Sequence, residues 1–194
     1  MKHFAELSPA AERIVDAAEE LVQHVGFNGF SYEDISHKVG IRKPSIHHHF
    51  QTKVELVVVM TQRYIPRFQM QLEEIESAST SSTERLRAYA RLFAKTFEND
   101  RRLCVCGMLG AETDALREGI RAEVGKFFKL NADLLERVIA KGQGAGELRP
   151  EQPASNLSAL WLGALEGSML VGRGLGGYQG PDAIAETLMA SWKK

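Results

Sequence analysis

Cysteine is nearly absent from this 194-residue chain: Cys104 and Cys106 are the only two. That excludes a disulfide scaffold, and a reducing, cytoplasmic location suits the composition. Neither sign of charge is in excess. With 24 Lys+Arg against 25 Asp+Glu and a formal net charge of -1, overall basicity cannot draw the chain to nucleic acid. Long apolar runs are missing as well. The most apolar stretch, Ala159 to Gly172, is broken by Glu166 and falls short of the roughly 20 residues a bilayer crossing requires. The start, Met1-Lys2-His3-Phe4-Ala5-Glu6, lacks the apolar core of a signal peptide. No convincing period-2 alternation marks a strand, so the predicted class is all-α.

What is present has helical period. A hydrophobic fraction of 44% is ordinary for a globular chain and leaves no room for wholesale disorder. Ile14, Ala18, Leu21, Val22 and Val25 share one helix face, opened by Ser8-Pro9 and closed by Gly26. Two short segments follow, one carrying Ile35 and Val39 up to Gly40, the other opening at Pro44 with Ile46 and Phe50. Thr52 and Glu55 form a capping box that starts a longer helix. Pro66 should kink or split that helix, because it removes a donor and clashes with the preceding turn. Ser77 to Thr83 reads as a polar loop. Further helical stripes run through Leu86–Phe97 and Ile120–Val138, and two last helices cover roughly 153–173 and 181–192. The predicted organisation is an N-terminal three-helix domain over 1–53 and a larger helical body over 54–194.

Splitting the charge changes its meaning. Between Ile35 and Val54 lie the cations Lys38, Arg42, Lys43 and Lys53, four of the six histidines, and no acid. A short helix, a Gly40 turn and a second short helix form a helix-turn-helix, with Ile35, Val39, Ile46 and Phe50 packing inward. The second helix then fits a major groove. Pro44 fixes the backbone that aims Arg42, Lys43 and Ser45. Arg42, Lys43 and Lys53 are expected to serve phosphates, with Ser45, His47 and His48 nearer the bases; Ser31 and Tyr32 complete the candidate DNA-contacting set. Three consecutive histidines fan 100° apart on a helix, so His47-His48-His49 is not read as a metal site, and no cofactor is expected.

The ordered run Gly26-Phe27-Asn28-Gly29-Phe30-Ser31-Tyr32-Glu33-Asp34-Ile35, then Val39-Gly40-Ile41-Arg42-Lys43-Pro44-Ser45-Ile46-His47-His48-His49-Phe50-Gln51-Thr52-Lys53, resembles the DNA-binding segment of the TetR family of bacterial repressors. Gly146-Glu147-Leu148-Arg149-Pro150 and Leu160-Trp161-Leu162-Gly163-Ala164-Leu165-Glu166-Gly167 look like its last long-helix turn and its dimer helix. His47 stands where members usually carry Tyr, which opens a pH-sensitive contact at that position. The resemblance implies three N-terminal helices on DNA and a helical body that dimerises and binds a small ligand. It implies a homodimeric, ligand-responsive repressor, released from a palindromic operator by a small molecule, and not an enzyme.

Within the body, Phe93, Phe97, Phe127 and Phe128 read as core; the resemblance implies a hollow body, which makes Phe93, Phe97, Cys104, Met108, Phe127, Trp161 and Met169 the candidate pocket residues. Ala159, Gly163 and Gly167 recur every four residues and, with Leu188 and Trp192 of the last helix, make a candidate dimer interface. Cys104 and Cys106 read as small residues of a packed helix. A sharper alternative makes them a thiol sensor, with Arg101 and Arg102 favouring a thiolate. A helical adaptor that binds protein through its basic face is the alternative outside the family.

Overall fold

The computed structural model describes residues 7–176 and 180–193. Among these residues are nine α-helices and no strand, only an isolated antiparallel bridge between Leu148 and Lys193. The helices are α1 (Pro9–Val25), α2 (Tyr32–Val39), α3 (Lys43–His49), α4 (Lys53–Ala78), α5 (Ser82–Glu98), α6 (Val105–Ala111), α7 (Glu118–Gly144), α8 (Ala154–Leu175) and α9 (Pro181–Trp192). Two compact units result. The first contains the chain up to Phe68 together with Val105–Phe127; the second contains Gln69–Cys104 and the chain from Phe128 onward.

In the first unit, local signals set the helix ends. Ser8 caps α1 by accepting from Ala11 N at 3.3 Å, with Pro9 in the first turn. Gly26 closes the helix at φ 75°, a left-handed angle that favours glycine. Ser31 and Asp34 form a reciprocal cap on α2, with Ser31 N donating to Asp34 at 2.7 Å. Gly40, at φ 73°, ends α2 and turns the chain toward α3. Ile14, Ile35, Ile46 and Phe50 are all fully buried, so α1, α2 and α3 pack their predicted apolar faces together. Glu55 N donates to Thr52 Oγ1 at 3.1 Å, and the Glu55 carboxylate accepts from Gln51 N at 3.0 Å. Further along α4, Phe68 lies 5.1 Å from Phe127 and 6.1 Å from Tyr64.

Two local expectations need correction. Of the kink or split expected at Pro66, the split does not occur: α4 runs unbroken from Lys53 to Ala78. One missing donor is outweighed by the intact ladder on either side and by the burial of Tyr64 and Phe68. The polar run 77–83 is mostly helix, because α4 extends to Ala78 and α5 starts at Ser82. The missing signal is distant. Glu147 accepts from Ser81 Oγ at 2.8 Å, Ser82 N at 3.2 Å and Thr83 N at 3.1 Å, which places a carboxylate on the N-terminus of α5.

In the second unit α5, α8 and α9 pack on one another. Their inward faces carry Leu86, Tyr89, Phe93 and Phe97; Trp161, Leu165 and Met169; and Ala185, Met189 and Trp192. Trp161 and Trp192 stand 5.4 Å apart. Glu186 accepts from Arg87 at 2.6 Å on the outer surface, where an ion pair adds little stability.

Candidate nucleic-acid interface

The seven residues of α3 divide cleanly. Ile46 and the following Phe50 face the core, while Arg42, Lys43, Ser45, His47 and His48 are exposed. Arg42 is the N-cap residue and Lys43 the first residue of α3, and neither has an ion-pair partner among the described residues. The other two cations of the window are engaged. Lys38 pairs with Glu20. Lys53, a half-buried residue, donates its ammonium to Phe30 O and lies over the rings of Phe27 and Phe30 at 4.7 and 4.1 Å. Burial lowers the Lys53 pKa, and the Glu112 and Asp34 carboxylates work against that.

Ser31 is exposed like the α3 set, whereas Tyr32 is not. The Ser31 hydroxyl belongs to the α2 cap and donates to Asp34 at 2.7 Å. Tyr32 is buried, and its hydroxyl donates to Phe50 O at 3.0 Å, tying the start of α2 to the end of α3. Its pKa is pushed well upward, by burial first and then by Glu55, so the phenol keeps its proton. The His47 ring meets Tyr32 edge-on at 4.8 Å, and its Nδ1 lies 3.4 Å from Gln51 O. His48 and His49 take each other as neighbours at 5.5 Å.

A residue with no short-range signal completes this head. Glu112, just beyond α6, accepts from Phe27 N at 2.6 Å and from Asn28 N and Nδ2 at 3.2 and 3.3 Å. It approaches Gly26 so closely that a Cβ there would lie 3.0 Å from its Oε1. The turn between α1 and α2 is therefore held by Glu112 on one side and Lys53 on the other. Periodicity within a window reports neither contact, because 85 residues separate Glu112 from Phe27.

The other predicted sets are distributed between the units. Phe93, Phe97, Cys104, Trp161 and Met169 are buried in the second unit, whereas Phe127 is buried and Met108 half-buried in the first. Cys104 precedes α6 instead of lying on it, Cys106 is in α6, and both are buried thiols outside any disulfide. Cys104 meets a carboxylate: its thiol donates to Glu166. On α8, Ala159 and Gly163 are exposed and Gly167 is half-buried, and a Cβ added at Gly163 or Gly167 would meet nothing within 4 Å. Leu160, Leu170, Val171 and Leu175 are also exposed on this helix, by 49 to 78%. Leu188 is half-buried, and Trp192 packs inward on Trp161.

A three-helix head whose last helix turns cationic and polar side chains outward, joined to a helical body, defines a helix-turn-helix DNA-binding regulator. Residues 14–60 match the family model described as bacterial regulatory proteins, tetR family, and residues 82–177 match the tetracyclin repressor-like C-terminal domain. A TetR-family transcriptional regulator from Agrobacterium tumefaciens superposes with a TM-score of 0.89 at 30% identity, covering 95% of this chain and 98% of that one. The transcriptional repressor DhaR of Mycobacterium sp. strain GP1 is 24% identical over 163 residues, 81% of each chain. The repressor NemR of Escherichia coli K12 is 27% identical over 162 residues, 79% of this chain and 80% of that protein. The chain belongs to the TetR family of bacterial regulatory proteins and is a ligand-responsive transcriptional regulator of its repressor type. No helix among the described residues is long and apolar enough to cross a membrane.

Proposed function

We propose that the protein represses transcription as a homodimer on a palindromic operator in the cytoplasm, and that a small molecule bound by its helical body releases it. Residues 1–53 read DNA in this proposal, and 54–194 dimerise and bind the effector. One observation carries the reading: α3 turns Ile46 inward and Arg42, Lys43, Ser45, His47 and His48 outward. Arg42 and Lys43 meet phosphates, and Lys53 adds charge from the base of α4. Ser45, His47 and His48 lie nearest the base edges. Ser31 and Tyr32 act by fixing the angle of α2 against α3.

The exposed α8 stripe supports the dimer. Small residues with open space above them, flanked by Leu160, Leu170 and Val171, let a second copy approach closely. Two α3 helices about 34–36 Å apart then dock in successive major grooves, so a small change in that separation ends tight binding. The test is fluorescence anisotropy with DNA flanking the protein's own gene. Nanomolar, sequence-specific binding by two protomers is expected; salt-sensitive binding without sequence preference overturns the proposal.

A further inference from the structure

Along α8, Glu166 is the only ionisable side chain between Ala159 and Gly172. Its Oε1 is cut off from solvent and has no hydrogen-bond partner. The carboxylate takes a hydrogen bond from the Cys104 thiol and also acts electrostatically on Tyr89. Tyr89 cannot serve the empty oxygen, because its hydroxyl donates to Asn131 Oδ1 at 2.7 Å. On the same helix, fully buried Trp161 has an Nε1–H with no partner. Orphaned buried polar groups are rare, and a carboxylate oxygen without a donor is the costlier of the two to leave unmatched.

We infer that Glu166 is the anchor of a binding site for a small organic ammonium ion, held inside the second unit beside Tyr89. The inference rests on the effector-responsive reading above and names the chemical class of the effector. A protonated amine donates to the unpartnered Oε1 and offsets the carboxylate's burial in the same contact. Tyr89, close enough for Glu166 to act on it, brings an aromatic ring of the kind a desolvated cation favours. Burial raises the Glu166 pKa to about 7, and an ammonium partner restores the ionised form.

Trp161 and Trp192 are the only tryptophans, so intrinsic fluorescence reports the site directly. Full-length protein is titrated with 2-phenylethylamine, its neutral isostere 2-phenylethanol and the anion 3-phenylpropanoate. The amine is expected to bind saturably and about tenfold or more tighter than the alcohol, the worth of one charge-assisted hydrogen bond, with no saturation by the anion. Glu166→Gln should abolish that preference. Equal binding of amine and alcohol, no saturation by the amine, or an undiminished preference in Glu166→Gln overturns the inference. The amine–alcohol comparison uses unaltered protein and stands even if the variant misfolds. Anisotropy with the operator fragment runs in parallel. Operator binding without amine preference defeats only this site, whereas amine preference without operator binding defeats only the repressor reading.

Discussion

Glu112 Oε2 accepts the backbone N–H of Phe27 at 2.6 Å, across 85 residues of sequence. The bond joins the residue just beyond α6 to the turn from which α2 and α3 are hung. Gly26 makes it possible, since a side chain there would crowd the carboxylate.

Glu112→Ala leaves three donors of that turn without their acceptor, two of them backbone N–H groups. A loss of about 1–3 kcal/mol is expected by chemical denaturation, with faster amide exchange at Phe27 and Asn28. Glu112→Gln keeps a neutral acceptor and should lose less. A change within about 0.5 kcal/mol for the alanine variant, typical of a plain surface site, would show that the turn holds itself.

Tyr32→Phe removes the hydroxyl that meets Phe50 O and should cost about 1 kcal/mol without altering the salt dependence of DNA binding. Lys43→Ala should do the reverse, leaving stability intact and lowering the salt slope by about one unit. Lys53→Ala is expected to do both, since its ammonium serves Phe30 O and two rings while adding charge near the phosphates. The measurements are denaturation and anisotropy across a salt series, and an unchanged slope removes Lys53 from the phosphate set.

Gly163→Glu tests the dimer with little disturbance of the fold. Nothing lies within 4 Å of a Cβ at that position, so the isolated chain accommodates the side chain. A charge on the α8 stripe should oppose association. Sedimentation is expected to show dimer for the parent protein and monomer for the variant at the same micromolar concentration. Equal masses would place the interface elsewhere.

Stability should depend on pH through Glu166. Burial lifts its pKa to about 7 in the folded chain against an ordinary 4.5, with the Cys104 thiol pulling the other way. The folded state therefore holds a proton that the unfolded state releases between those values. The contribution is complete below about pH 4.5 and is lost as the pH rises through about 7, on the order of 3 kcal/mol over the window. Thermal midpoints of the parent and of Glu166→Gln, followed from pH 5 to 8, should converge in slope only if another group is responsible.

Helix ends were legible wherever the cause is local. Ser8-Pro9, Gly26, Gly40, and Thr52 with Glu55 act within a turn or two, and each marks a real boundary. The spacing of Ile35, Val39, Ile46 and Phe50 likewise named the buried face of the head. The inward turns of Tyr32 and Lys53 were not legible, because aromatic and long cationic side chains reach outward or inward according to what stands beside them. Continuity of α4 through Pro66 also depended on flanking packing.

By itself the sequence determined that the chain is helical, that a cationic segment free of acids sits on a helix-turn-helix, and that the body carries an apolar helix with a small-residue stripe. These follow from period, capping chemistry and local charge, all of which act over a few residues. Only the tertiary structure decided which carboxylates matter. Glu147 caps α5, Glu112 grips the α1–α2 turn, and Glu166 keeps an oxygen empty inside the second unit. The physical reason is that a buried carboxylate is defined by the donors brought to it, and folding brings those donors from segments far apart along the chain.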